Sequence, residues 1–392
     1  MKKFYLFLIT LTIIYTQGFG QNIWTKKADF GGDPRHNATG FSIGDKVYIG
    51  TGFDGSNFDD FWEWDKTTNI WTQKADFSGG ARSHAVGFSI GLKGYIATGL
   101  DNTGPTFFND LWEYDPILDT WTQKANLPSS TRCNAIGFSI GTKAYIGTGN
   151  GLSSKYSDFW EWDQLTDTWT QKANFAGGGR RMAIGFSIEE KGYVGTGENG
   201  GVHYNDFWEY DTTTNIWTQK ADFYSTRIDA VGFSINDKGY VGTGREGSFY
   251  KFDFWEFSPI LNSWVQIADF PPNKRGQGVA FSIGNNGYFG LGTGSAPYYD
   301  DFWEYTPNST FANNIKIENS ITIYPNPTTG KINVQAEDIE SIEVFDITRK
   351  HLTGFENLSG LKELDLSSQP KGIYIIKVRT SKGVAVEKIV LE

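Results

Sequence analysis

Six arginines stand at matching places in a recurring pattern: Arg35, Arg82, Arg132, Arg180, Arg227 and Arg275. A guanidinium is a fixed fork of donors that grips a carboxylate through two parallel hydrogen bonds. Brought to one rim, six of them would favour an anionic ligand. The same fork can be satisfied internally, by Asp206 or Glu209 and their counterparts in the other units, and then it pins the units together. Repetition in every unit speaks for pinning, because a site built for one ligand is seldom sixfold symmetric.

The positions that differ between matching units carry more information about a ligand. The two residues after each arginine read His36-Asn37, Ser83-His84, Cys133-Asn134, Arg181-Met182, Ile228-Asp229 and Gly276-Gln277. Further along each unit a variable loop supplies Phe107, Tyr156, His203, Tyr204, Phe249, Tyr250, Tyr298 and Tyr299. Aromatic rings beside Asp, Asn and Arg suit a sugar or peptide surface. The candidate ligand face is therefore the six arginines together with His36, His84, Arg181, Asp229, His203, Tyr204 and Tyr250.

Other chemistries are poorly served. No Cys/His spacing fits zinc, no glycine-rich phosphate loop precedes a helix, and no Gly-x-Ser-x-Gly elbow occurs. No catalytic residue, metal or cofactor is assigned. The formal charge of −10 argues against nucleic acid or an anionic membrane as partner. Cys133 is the single cysteine, so no intrachain disulfide can form.

The elements that hold these residues are short strands. The stretch Asp206-Phe-Trp-Glu-Tyr-Asp-Thr-Thr-Thr-Asn-Ile-Trp-Thr-Gln-Lys-Ala221 is one copy of a unit written six times. Its two tryptophans recur at Trp62, Trp112, Trp160, Trp208, Trp255 and Trp303, and at Trp24, Trp71, Trp121, Trp169, Trp217 and Trp264, with a period of about 47 to 50 residues. In the fourth unit, alternation and turn residues predict strands at Met182–Glu189, Gly192–Gly197, Asp206–Tyr210 and Ile216–Ala221. Four short antiparallel strands cannot bury both faces alone. Six such sheets stacked radially can, and this predicts an all-β propeller. In such a fold the loops from fourth to first strand and from second to third strand open on one face, around the channel.

The Tyr-x-Gly-Thr-Gly segment, the aromatic ending the third strand and the tryptophan about seven residues on (Tyr210 to Trp217) resemble the kelch repeat. Gly50-Thr51-Gly52, Gly147-Thr148-Gly149, Gly195-Thr196-Gly197 and Gly242-Thr243-Gly244 stand where kelch repeats carry paired glycines. Ala97-Thr98-Gly99 and Gly290-Leu291-Gly292-Thr293-Gly294 depart from that form. A WD40 pattern does not fit, since its period is shorter and no Gly-His…Trp-Asp pair recurs. The resemblance implies a six-bladed kelch propeller. Galactose oxidase is also kelch-based, but Cys133, His36 and His84 come from three different units and no local pattern sets a copper ligand group. Six-bladed kelch proteins also include N-acetylneuraminate epimerases; for them Arg181, Glu198 and His203 are the assembly this chain would offer.

Phase predicts how the ring closes. The first element, Ile23-Trp24-Thr25, is a fourth strand with no first three before it, and Asp301–Tyr305 is a third strand with no fourth after it. The N-terminal strand is expected to complete the sixth blade and remove two exposed edges.

Both ends of the chain read as export signals. Met1-Lys2-Lys3 followed by apolar Phe4–Tyr15 and by Gly18-Phe19-Gly20 predicts a signal peptide over 1–20, cleaved before Gln21, with no cysteine for a lipid anchor. The propeller is expected over 21–305 and a polar linker over 306–320. Residues 321–392 carry Tyr324-Pro-Asn-Pro-Thr-Thr-Gly330, Gly372-Ile-Tyr374 and a terminal Lys388-Ile-Val390. That combination closely resembles the C-terminal sorting domain of type IX secretion substrates, a small β-sandwich. The resemblance implies the secretion machinery as partner, passage across an outer membrane, and a mature protein released or held at the cell surface. The reading is a secreted or surface-held binding module for a glycan, peptide or protein, with no transmembrane span; a sugar-acid mutarotase is the alternative.

Overall fold

The computed structural model describes residues 23–295, 298–307, 322–336, 339–346, 351–356, 361–380 and 383–392. The expected signal segment over 1–20 lies outside them, as does most of the expected linker. Residues 22–307 form one compact unit, and the described residues beyond 307 belong to a second. The described residues contain strands and no helix, so none is long and apolar enough to cross a membrane.

The repeat region folds into six four-stranded antiparallel sheets. In the fourth, the strands are Ile184–Ile188, Lys191–Gly195, Phe207–Asp211 and Ile216–Gln219, in sheet order equal to chain order. The first strands of the sheets, such as Thr39–Ile43 and Val86–Ile90, neighbour one another in a closed cycle around an axis, a β-propeller arrangement. Burial is greatest in the second strand and falls from there outward. Second strands are buried almost throughout, whereas fourth strands are largely exposed. Glycine is required where inner strands crowd: a Cβ on Gly87 would lie 2.4 Å from the Gly40 carbonyl oxygen of the neighbouring sheet.

The sheet that ends the repeats is completed from the other end of the chain. Ile23–Lys26 pairs antiparallel with Phe302–Thr306, Ile23 facing Thr306 and Lys26 facing Trp303. Trp24 packs its ring about 5 Å from Phe254, Phe270 and Tyr305 and donates Nε1–H to the Ala268 carbonyl at 3.1 Å. Trp71, Trp121, Trp169, Trp217 and Trp264 make the same bond to Ala28, Ala75, Ala125, Ala173 and Ala221. The six bonds form a cycle, each sheet tied to the one before it.

The repeated residues account for the rest of the framework. Tyr48, Tyr95, Tyr145, Tyr193, Tyr240 and Tyr288 each donate a hydroxyl proton to the glutamate of the adjacent third strand, at 2.6–2.9 Å. Burial raises the pKa of every one of these phenols, so they remain donors. At the turn before the fourth strand, Asp211 Oδ1 accepts the N–H groups of Thr213 and Thr214, an Asx turn that explains its Asp-Thr-Thr-Thr-Asn spelling.

The second unit contains a three-stranded sheet (Thr322–Tyr324, Lys331–Gln335, Leu361–Asp365) and a four-stranded sheet (His351–Glu356, Ile339–Asp346, Gly372–Thr380, Gly383–Leu391). Ile332, Val334 and Leu364 from the first share one apolar core with Ile342, Val344, Ile376 and Ile389 from the second.

Candidate functional site

The six arginines lie inside the framework. Each is at most 1 % exposed. Arg35, Arg82, Arg132, Arg180, Arg227 and Arg275 pair through both terminal nitrogens with Asp60, Asp110, Asp158, Asp206, Asp253 and Asp301, the Nη2–Oδ2 distances being 2.7–3.0 Å. Nη1 also donates to the carbonyl of Thr51, Thr98, Thr148, Thr196, Thr243 or Leu291. Each aspartate in turn accepts the indole N–H of the tryptophan two residues on. The guanidinium carbons sit 3.7–4.2 Å from the ring centroids of Phe58, Phe108, Tyr204 and Tyr299 in four of the repeats. A charge so desolvated needs its carboxylate partner and has no face left for a ligand. The expectation of six ligand-binding guanidiniums is therefore corrected: they pin the structure. Tyr204 is corrected with them, since it covers Arg180.

Their carbonyls also join the sheets. Gly52, Gly99, Gly149, Gly197, Gly244 and Gly292 donate N–H to the carbonyls of Arg82, Arg132, Arg180, Arg227, Arg275 and Arg35, a closed ring of bonds at 2.7–2.9 Å. Gly197 has φ of +89°, and a Cβ there would meet the Arg181 carbonyl at 2.7 Å, so the last residue of Gly-Thr-Gly must be glycine.

The two residues after each arginine separate into two roles. The first turns toward its own second-to-third-strand loop: His36 bridges Phe53, Ser83 Leu100, Cys133 Asn150, Arg181 Glu198 and Ile228 Arg245. The second reaches the axis. Asn37, His84, Asn134, Met182, Asp229 and Gln277 all adopt left-handed backbone, with φ between +50° and +61°. Backbone N–H···O bonds of 2.9–3.3 Å link Asp229, Gln277, Asn37, His84, Asn134 and Met182 in that order. Together with Ala38, Ala85, Ala135, Ala183, Ala230 and Gly278 they line a cavity of about 130 Å³ on the axis. Behind the alanines the channel continues as a second cavity of about 200 Å³, walled by inner-strand residues such as Thr39, Val86 and Ile136.

The electrostatics of this mouth differ from repeat to repeat. Arg181 pairs through Nε with Glu198. Arg245 donates Nε and Nη2 to Asp229 Oδ2 at 2.9 and 2.6 Å. Both carboxylates are buried, 7 % and 3 % exposed, while the arginines are 36 % and 29 % exposed. Burial pushes the Glu198 pKa up, but Arg181 and the Gly201 N–H outweigh it and the result lies below the usual range. His84 holds the Ser83 hydroxyl at 2.8 Å, and burial, with smaller contributions from His36 and Arg181, pushes its pKa down to about 3. His36 stacks on Tyr298 at 5.1 Å and meets the Asn37 amide at 2.7 Å; burial lowers its pKa as well. Cys133 is buried beside Asn134 and Asn150, and burial raises its thiol to about 11. Among the described residues no cluster of His, Cys, Asp and Glu could hold a metal.

Of the sequence candidates, then, His84 and Asp229 stand on the mouth, with His36 and Arg181 beside them. Tyr250 sits with its ring centroid 5.8 Å from the Arg245 guanidinium. His203 lies in the hairpin formed by Glu198–Asn199 and Val202–His203, opposite Glu198. Asn37, Asn134, Met182 and Gln277, variable positions in the sequence that were left out of the candidate set, complete the mouth, and Arg245, which the sequence did not single out, pairs with Asp229 beside it.

Comparison with known proteins agrees with this architecture. Residues 34–78 match the kelch motif, and residues 322–392 match the secretion system C-terminal sorting domain. The chain carries a kelch motif and a sorting domain. The sorting domain marks this kelch protein for export to the cell surface or beyond and for contact with the type IX machinery. Among solved structures it is similar to that of YjhT, at 19% identity and a TM-score of 0.64, over 72% of this chain and 98% of that one. At that identity the likeness shows the fold. No curated protein matches the chain.

Proposed function

We propose that this is a six-bladed kelch propeller, closed by its N-terminal strand, that binds a small polar group at the channel mouth. The observation that carries the reading is the contrast within one backbone geometry. The clamp of arginine, aspartate and tryptophan is the same in all six repeats. The six left-handed positions around the axis hold the same φ yet bear Asn, His, Asn, Met, Asp and Gln. Packing fixes the first set and leaves the second free for recognition. The mouth itself holds about 130 Å³, with about 200 Å³ behind the alanines, so an entering group meets a narrow polar mouth first. It suits the tip of a glycan, a peptide side chain or a protein loop.

A sugar-acid mutarotase stands behind this reading. It needs a guanidinium for the substrate carboxylate, and Arg181 and Arg245 already hold buried carboxylates of their own. The proposed organisation is a signal peptide over 1–20, a propeller over 21–305, a linker over 306–320 and a sorting β-sandwich over 321–392.

Met182→Trp tests the site. The indole fills the mouth while the clamps stay intact, so the melting temperature holds and retention on a glycan and peptide array is lost. Undiminished binding by this variant would place the ligand elsewhere.

A further inference from the structure

We infer that the mouth ligand is the uncharged, hydroxyl-rich end of a neutral oligosaccharide, whose next sugar lies along the hairpin of the fifth repeat; this rests on the mouth being the binding site. The first reason is charge. Among the described residues, the guanidiniums of Arg181 and Arg245 stand beside this mouth, ion-paired with buried Glu198 and Asp229. An anionic ligand that took the Nε of Arg181 or the Nε and Nη2 edge of Arg245 would leave a buried carboxylate unpaired, and a cationic ligand would strip the carboxylate from its arginine. Each exchange opposes binding of a net charge. The chain's charge of −10 weighs further against an anion.

The second reason is the match of donors and acceptors. Asn37, Asn134 and Gln277 line the mouth with amides, the first two steadied through their NH₂ groups by His36 and by Cys133 and Asn150, and His84, with Nδ1 on the Ser83 hydroxyl, keeps its second ring nitrogen. A sugar hydroxyl donates once and accepts twice, so it can bond to such groups without asking any of them to change protonation. A wall of fixed charges would lack that reciprocity.

The third reason is direction. Arg245 joins the mouth to a two-stranded hairpin, Arg245–Glu246 with Phe249–Tyr250. Tyr250 lies against Arg245, and Phe249 at the turn is 76 % exposed. An apolar ring held in water on a hairpin that begins at Arg245 is a platform on which the C–H face of a sugar can stack. The mouth thus takes the terminal residue, and the hairpin takes the next.

The test is an array of neutral oligosaccharides, sialylated, uronylated or sulfated glycans, and peptides, probed with the full exported protein at low and raised salt. Neutral oligosaccharides should bind, with little change on adding salt, because no ion pair is formed with the ligand. Phe249→Ala should weaken binding about tenfold for the oligosaccharide, roughly one stacking contact, and leave a monosaccharide unaffected. Acidic glycans or peptides as the retained class, blocked by Met182→Trp, would overturn the inference and keep the mouth. Neutral binding that survives Met182→Trp would overturn the mouth itself. Retention of nothing on the array overturns both.

Discussion

Replacing Arg180 by methionine separates a structural arginine from a ligand-binding one. Methionine keeps much of the buried stem and removes only the charge and its donors. Asp206 then loses both guanidinium contacts, at 2.5 and 2.9 Å, and keeps only the Trp208 indole N–H. The Thr196 carbonyl loses its Nη1 donor, and the Tyr204 ring loses the cation 4.2 Å from its centroid. Removing one partner of such a buried pair costs about 3–5 kcal/mol. At roughly 2 °C per kcal/mol for a unit of this size, the melting temperature should fall by roughly 6–10 °C. Lys191→Met is the control in the same repeat. Its pair with Asp211 is 36 % and 28 % exposed, so the loss should stay within about 1 kcal/mol. Differential scanning calorimetry reads both variants. Adding Asp206→Asn to Arg180→Met should recover part of the loss, since the stranded carboxylate becomes neutral. The clamp argument is refuted if Arg180→Met melts like the parent, or if it loses a ligand while keeping its melting temperature.

Trp24→Ala should destabilise by about 3 kcal/mol, because it removes the Ala268 bond and the contacts with Phe254, Phe270 and Tyr305 that close the ring; a chemical-denaturation midpoint equal to the parent's would show that closure does not depend on it. Stability should fall with acid through His84. Its folded pKa of about 3 lies below the 6.5 of an unperturbed imidazole, so the unfolded state binds the proton first, and each unit below that value costs up to about 1.4 kcal/mol. His84→Gln should flatten the stability profile between pH 6 and pH 4, measured by urea titration. Mass spectrometry of secreted material should find a chain starting near Gln21 and lacking the sorting domain; recovery of the intact chain from the cytoplasm would refute the export reading.

Much of the framework is legible in the sequence because packing repeats. Strand types and the phase of the units follow from residues that recur, such as Trp208, Glu209 and Trp217. The pairing of the arginines was legible down to two choices, Asp206 or Glu209. The structure gives the arginine to Asp206 and Glu209 to Tyr193, a division that depends on which way alternate residues of the third strand face. The mouth was harder to see. After each arginine it is the second residue, not the first, that lines the axial cavity, and that depends on a left-handed turn which Met182 and Gln277 do not advertise. Tyr204 shows the converse difficulty. An aromatic in a variable loop reads as exposed until the chain is seen to bring it over Arg180.

The closing strand also decides how the propeller answers to tension. The chain leaves the propeller through Phe302–Thr306, and beyond it lies the sorting domain by which the exported protein is handled. Were that strand at the edge of its sheet, a pull on the tail would peel one ladder of hydrogen bonds from its end. Ile23–Lys26 on one side and Asn286–Gly290 on the other make it an interior strand. Force arriving through the tail must shear two ladders together, and it is passed on to the neighbouring sheet through the Trp24 bond to Ala268. A propeller built this way can be towed by its last strand without being unravelled from it.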